Sequence, residues 1–302
     1  MGGQLPTFWH TRLSGVFRAP VWSCVMADQF DGRVAFITGA ARGQGRAHAV
    51  RFAEEGADII ALDLCDQIDS VAYPMATPED LDETVKLVEK TGRRIVAERA
   101  DVRDLEALKA VVANGVAEFG RIDFVLANAG ILPAAGEPGS QIGAFVDAVN
   151  VMLNGVHFTI VAALPAMLEH GDGGAIVITS SAAGFRPVTV DFGTASHGAA
   201  GYTAAKHGVI GLMRHFAIAL AEKNIRVNTV HPGGVATPMI YNEAMAQWSV
   251  EHPNFSPSQQ PLLDNPPVEP EVISDTMVYL CGESGRYLTG VALPVDGGQI
   301  IK

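Results

Sequence analysis

The stretch Arg33-Val34-Ala35-Phe36-Ile37-Thr38-Gly39-Ala40-Ala41-Arg42-Gly43-Gln44-Gly45 sets the fold class. From Val34 to Ile37 it is apolar without alternation, as a strand buried on both faces requires. Glycines then mark a tight turn, and a helical pattern follows from Arg46 to Glu55, closed by Gly56. In a strand, turn and helix of this kind Gly39 permits the turn, while Gly43 and Gly45 let bare backbone approach an anion seated on the helix N-terminus. Three glycines so close together also describe a flexible loop. The strand before them and the helix after them favour a phosphate cradle, here with the spacing G-x-x-x-G-x-G.

The same alternation continues outward. Asp58 to Leu62, Arg94 to Glu98, Ile122 to Ala127, Ala175 to Thr179, Ile225 to Val230 and Val291 to Val295 read as strands. Helical patterns fall between them over Glu79 to Lys90, Leu105 to Phe119, Gln141 to Glu169, Gly201 to Ala221 and 271 to 280. This order predicts an α/β fold, a single doubly wound parallel sheet of Rossmann-like type with helices on both faces. No repeat or second domain interrupts it, so residues 28–302 are expected to form one domain. Residues 240–270 lack the pattern. Their prolines and aromatics, Tyr241, Trp248 and Phe255, suit a lid over an apolar ligand, a surface excursion or a subunit contact.

Composition narrows the function classes. A chain of 302 residues, 48% hydrophobic, can bury a substantial core. Its formal charge of -12, without a basic run, argues against binding nucleic acid or an anionic membrane. No uninterrupted apolar run reaches the roughly 18 residues of a spanning helix. Cys24, Cys65 and Cys281 are odd in number and far apart, which suits neither a disulfide framework nor a thiolate metal site and fits a reducing, cytoplasmic interior. His197, His207 and His231 lack zinc spacing, so no metal is expected. Residues 1–27, with Arg12, Arg18 and no acidic residue, read as a disordered extension or an upstream start before Met26; a targeting peptide is the alternative.

Several strand ends carry chemistry. Asp63 stands about 20 residues beyond the glycine turn, where an acid accepts a hydrogen bond from a ribose 2′-hydroxyl. A carboxylate there repels the extra phosphate of NADP and favours NAD, although Arg42 in the turn pulls the other way. Asn128-Ala129-Gly130 leaves room for a ligand, and Ser180-Ser181 offers hydroxyls to a substrate oxygen or to a strand cap. Residues 64–80 either cover the adenosine end or form a solvated loop.

Tyr202 and Lys206 lie one turn apart on a predicted helix and share a face. A phenol beside an ammonium suits alcohol oxidation, which needs a base for the hydroxyl proton while hydride departs. Lowering a tyrosine pKa by about 3 units takes roughly 4 kcal/mol. A lysine charge some 5 Å away supplies about 3 kcal/mol at an effective dielectric near 20. Taken alone, the spacing also describes a core tyrosine and a solvated lysine.

Together, Thr38-Gly39-x-x-x-Gly43-x-Gly45, Asn128-Ala129-Gly130, Ser181, Tyr202-x-x-x-Lys206 and Pro232-Gly233 resemble the short-chain dehydrogenase/reductase family over about residues 30–302. The long loop after Asp63, the extended loop before Tyr202 and the wording Ala205-Lys206-His207-Gly208 look like its branch coupled to the redox carrier mycofactocin, which includes carveol dehydrogenase-like enzymes. The resemblance implies that Ser181 orients the substrate oxygen, Tyr202 is the general acid/base, and Lys206 holds the nicotinamide ribose and acidifies Tyr202. It further implies that Asp101, Val102 and Asn128 line the cofactor groove, that Thr237 lies near the carboxamide or phosphates, and that the assembly is a homotetramer. In that branch NAD is tightly retained, and electrons leave through another carrier. The implied substrate is a secondary alcohol or ketone, apolar and alicyclic or terpenoid-like. An NADP-dependent ketone reductase, or a nucleotide-binding sensor without useful catalysis, are the competing functions. One departure stands out. Where the family often has a catalytic asparagine three residues before a helix glycine, alignment on Gly155 puts Met152.

Overall fold

The computed structural model describes residues 28–264 and 268–302; the extension expected over 1–27 lies outside them. Seven parallel strands form one sheet in the order β3-β2-β1-β4-β5-β6-β7. The strands are β1 Val34–Thr38, β2 Asp58–Asp63, β3 Ile95–Arg99, β4 Phe124–Ala127, β5 Gly174–Thr179, β6 Ile225–Pro232 and β7 Ala292–Val295. Because β1 pairs with both β2 and β4, the winding reverses between β1 and β4, and a crevice opens at their carboxyl ends.

Two apolar layers explain the unbroken hydrophobic strands. Ala35 and Ile37 of β1 face Phe52 of helix α1 (Gly43–Glu54), while Phe36 shares the opposite core with Leu108 and Val112 of α3 (Leu105–Phe119). Between them in sequence, α2 (Pro78–Lys90) starts at a Thr77 capping box. Past β4 come the short α4 (Gly136–Gly139) and α5 (Ile142–Val149).

The expected continuous helix from Gln141 to Glu169 is divided. A π-helical turn, Asn150–Asn154, separates α5 from α6 (Gly155–His170). Gly155 lies against the loop after β3, where an added Cβ would come 2.7 Å from Val102 Cγ2. The whole stretch Ile142–His170 is long and apolar enough to cross a bilayer, but 56% of its most apolar window is buried inside the fold, and it packs on α3 and on α7 (His197–Ala219). Helix α7 begins earlier than its apolar pattern suggests, because the Ser196 hydroxyl accepts a hydrogen bond from Ala199 N and caps it there.

Residues 240–264 hold more structure than the sequence pattern shows: α8 (Glu243–Glu251) and α9 (Phe255–Ser258). Trp248 packs against Phe255 with ring centroids 4.4 Å apart, and Met245 and Trp248 join the core cluster that contains Leu132, Val188 and Tyr202. Pairing of Val235 with Val268 closes the base of the excursion. Helix α10 (Pro270–Cys281) then covers α1.

Candidate active site

A groove runs along the carboxyl edge of the sheet, lined by Gly39, Arg42, Gly43, Gly45, Asp63, Asp101, Val102, Asn128, Gly130 and Thr237. The local fold explains why glycine is needed. Gly39 has φ 69°, and an added Cβ would come 2.8 Å from Ala129 Cα, so the turn after β1 presses directly on the turn after β4. Asn128 ties the strand ends together: its Nδ2 donates to Thr38 O at 3.0 Å, and its Oδ1 accepts from Thr179 Oγ1 at 3.2 Å. Thr237 faces Gly43 across the groove.

At the far end, Asp63 accepts from Ala41 N at 2.9 Å and from Cys65 N at 3.2 Å. Both bonds aim the carboxylate while leaving it lone pairs for a ligand. Arg42 donates to Pro74 O at 2.6 Å, so part of its guanidinium is committed to the neighbouring loop. Asp101 forms an ion pair with Arg103, whose Nε is 2.8 Å from Oδ2. Burial raises this carboxyl, but the Arg103 hydrogen bonds and charge outweigh it and hold Asp101 below the ordinary range.

Residues 64–77 are not a solvated loop. Leu64, Ile68, Tyr73, Met75 and Ala76 line the groove, and Ile68, Val71 and Tyr73 belong to the main core. Tyr73 Oη accepts from Leu132 N at 3.1 Å, Ser70 Oγ donates to Asp147 Oδ2 at 2.7 Å, and Gln67 bonds the loop to itself. The sequence signal was the apolar spacing of Ile68, Val71 and Tyr73, which the adjacent prolines and acids obscure.

Ser181, Tyr202 and Lys206 come together behind Gly130 and are not themselves in the groove lining. Ser181 follows β5 and caps a short 3-10 turn, its Oγ accepting from Ala183 N at 3.1 Å. Its partner in sequence, Ser180, is structural, donating to Lys206 O at 2.8 Å and fastening α7 to the sheet. Lys206 Nζ donates to Thr179 O at 2.8 Å and lies 5.6 Å from the centroid of the Tyr202 ring. Both side chains are buried. Burial pushes the Lys206 ammonium down to about 8. Burial also raises the Tyr202 phenol, while a hydrogen bond from Ser181 pulls it back. Desolvation therefore dominates the phenol.

Met152 is buried beside this group. A Cβ added to Gly130 would lie 3.6 Å from both Met152 Sδ and Lys206 Nζ. Asn150 and Asn154 bond to one another at 3.0 Å instead of joining it. Pro232 and Gly233 close the end of β6, where Gly233 N donates to Val295 O at 3.2 Å, and they are absent from the groove lining. Sequence reasoning passed over Gln44, which lines the groove and whose Oε1 is buried without a partner. Among the described residues no group of three or more His, Cys, Asp or Glu is placed to hold a metal.

A family profile described as Enoyl-(Acyl carrier protein) reductase matches residues 39–299. An uncharacterized oxidoreductase of Mycobacterium tuberculosis is 50% identical over 276 residues, covering 90% of this chain and 97% of its own. The (-)-trans-carveol dehydrogenase of Rhodococcus erythropolis is 43% identical over 284 residues, covering 90% and 99%. The crystal structure of carveol dehydrogenase from Mycobacterium avium in complex with NAD superposes with a TM-score of 0.83 at 44% identity, covering 91% of this chain and all of that one. The chain belongs to the short-chain dehydrogenase/reductase family.

Proposed function

We infer that the protein is an NAD-dependent oxidoreductase that interconverts an apolar, alicyclic secondary alcohol and its ketone. The observation that carries this reading is the convergence of Ser181, Tyr202 and Lys206 behind Gly130, a residue of the groove that also presents Asp63. The groove fits a dinucleotide in three ways: a bare-backbone turn at the start of α1, an aimed carboxylate, and the orphaned buried amide oxygen of Gln44. Asp63 disfavours a 2′-phosphate, and the bond from Arg42 to Pro74 reduces the one feature that favoured NADP. The similarity to carveol dehydrogenases supports both NAD and an alicyclic substrate.

In this reading Asp63 holds the adenosine ribose, Asp101 and Val102 border the adenine, and the glycine turn carries the pyrophosphate. Lys206, with Thr179 O taking one of its N–H groups, has others left for the second ribose. When bound, NAD accepts hydride from the alcohol or returns it to the ketone. Ser181 donates a hydrogen bond to the substrate oxygen. Tyr202 takes the hydroxyl proton in oxidation and gives it back in reduction. Since burial raises the Tyr202 phenol, its ionisation needs both the Lys206 charge and the positive charge that oxidised nicotinamide brings. Residues 240–270 serve as the lid over the apolar substrate, and Met239 reaches the groove from their base. The branch resemblance extends the proposal to a cytoplasmic homotetramer of single-domain chains, from which mycofactocin removes electrons while NAD stays bound.

The test is a panel of alicyclic secondary alcohols with an artificial electron acceptor, run on wild type and Tyr202→Phe. Wild type should oxidise at least one alcohol, and the variant should retain the copurifying NAD while losing about 10²–10⁴-fold in turnover. Equal turnover by the two would remove Tyr202 from the chemistry.

A further inference from the structure

His231 is buried to 0% exposure at the end of β6, and the reaction chemistry above makes no use of it. Both ring nitrogens are occupied. Nδ1 lies 2.8 Å from the main-chain oxygen of Ser181, and Nε2 lies 2.8 Å from Thr229 Oγ1 on the same strand. A carbonyl can only accept, so Nδ1 carries the proton and Nε2 accepts from the threonine hydroxyl. The tautomer is thereby fixed.

The turn after Ser181 is shaped around this ring. Phe185 packs on it with centroids 4.4 Å apart. Gly184 supplies the space, since an added Cβ would come 2.9 Å from His231 Cε1 and Nδ1. The segment from Ser181 to Phe185 therefore wraps the imidazole, and its hydrogen-bonded anchor is the peptide oxygen of Ser181 itself.

We propose that His231 is a positioning residue, holding the Ser181 main chain from the neighbouring strand so that the Ser181 hydroxyl meets Tyr202 and the substrate oxygen at the productive angle. This rests on the assignment of Ser181 and Tyr202 given above. The mechanism is geometric: a displacement of about 1 Å in a group that orients a reacting atom can cost up to 10²-fold in rate.

The two ring nitrogens can be imitated separately. His231→Asn places an amide where Nδ1 stands and keeps a donor for Ser181 O. His231→Gln reaches towards Thr229 instead, and His231→Leu removes both contacts. For alcohol oxidation, the Asn variant should stay within about threefold of wild-type kcat, whereas Gln and Leu should lose about tenfold or more, with the amount of copurifying NAD unchanged in all three. In a Ser181→Ala background, His231→Gln should cause no further loss, because the hydroxyl it positions is already gone. Losses that follow melting temperature and not the Ser181 donor, or a His231→Gln effect of equal size in both backgrounds, would overturn the proposal. Wild-type turnover by Ser181→Ala alone would instead overturn the assignment of Ser181 on which it rests.

Discussion

At the adenosine end of the groove, Asp63, Arg42, Gln67, Ser70 and Asp101 each already bond a protein partner, and the loop they hold contributes Ile68, Val71 and Tyr73 to the core. At the reaction end, Lys206 has Thr179 O as its acceptor among the described residues, and burial displaces both its ammonium and the Tyr202 phenol from their ordinary values. One end is braced by protein partners. The other holds desolvated groups whose proton affinities burial displaces. The contrast teaches where each end draws its specificity: recognition can rest on a finished surface, whereas catalysis needs groups whose protonation is not yet settled.

Lys206→Met tests this contrast most severely. Turnover should fall by about 10²-fold or more, since the phenol loses its neighbouring charge. Stability should move the opposite way. In the folded, NAD-free protein Lys206 titrates near 8, against 10.5 in an unperturbed chain, so the burial penalty is complete below pH 8 and relieved as pH rises to 10.5. The variant should therefore melt several degrees above wild type at pH 7, on the order of a few kcal/mol, with the gap closing by about pH 10.5. Matched calorimetric scans across that range give the sign directly; a variant less stable than wild type at pH 7 would mean that the desolvated charge is compensated.

Asp63→Ala attacks the braced end. The substitution removes the carboxylate for the ribose and also the acceptor of Ala41 N and Cys65 N. Hydrogen bonds to a charged group are worth about 1.5–3 kcal/mol, so NAD affinity should drop roughly ten- to a hundredfold and preference over NADP should shrink. Isothermal titration with both nucleotides reads this out. A smaller change is expected from Ser70→Ala, which cuts the bond to Asp147 and should loosen the loop by about 1 kcal/mol. NAD should then dissociate a few times faster in stopped flow, with turnover on a saturating alcohol unchanged.

The sheet was legible because its strands are short, apolar and separated by strong helical patterns, and the glycines between β1 and α1 marked the turn that joins them. Gly39, Asp63 and Asn128 followed from their places at strand ends, whereas Asp101 and Val102 were implied by the family resemblance. The loop at 64–77 and the helices within 240–264 were harder to read. Their order depends on contacts such as Tyr73 with Leu132, 59 residues away, and Trp248 with Phe255 across the break between α8 and α9. The π-helical turn at Asn150–Asn154 was hidden for a related reason, since a helical pattern gives no sign of one extra residue in a turn.

The pair Tyr202 and Lys206 shows where the division falls. Their identity and shared helix face are properties of the sequence, because helical geometry fixes which residues lie one turn apart. Their burial, the bond from Lys206 to Thr179, the packing of Met152 beside Lys206 and the grip of His231 on Ser181 belong to the tertiary structure alone. Proton affinity depends on solvent, charge and hydrogen bonds from every element that packs around a group, and those neighbours meet only when β5, β6 and α7 come together.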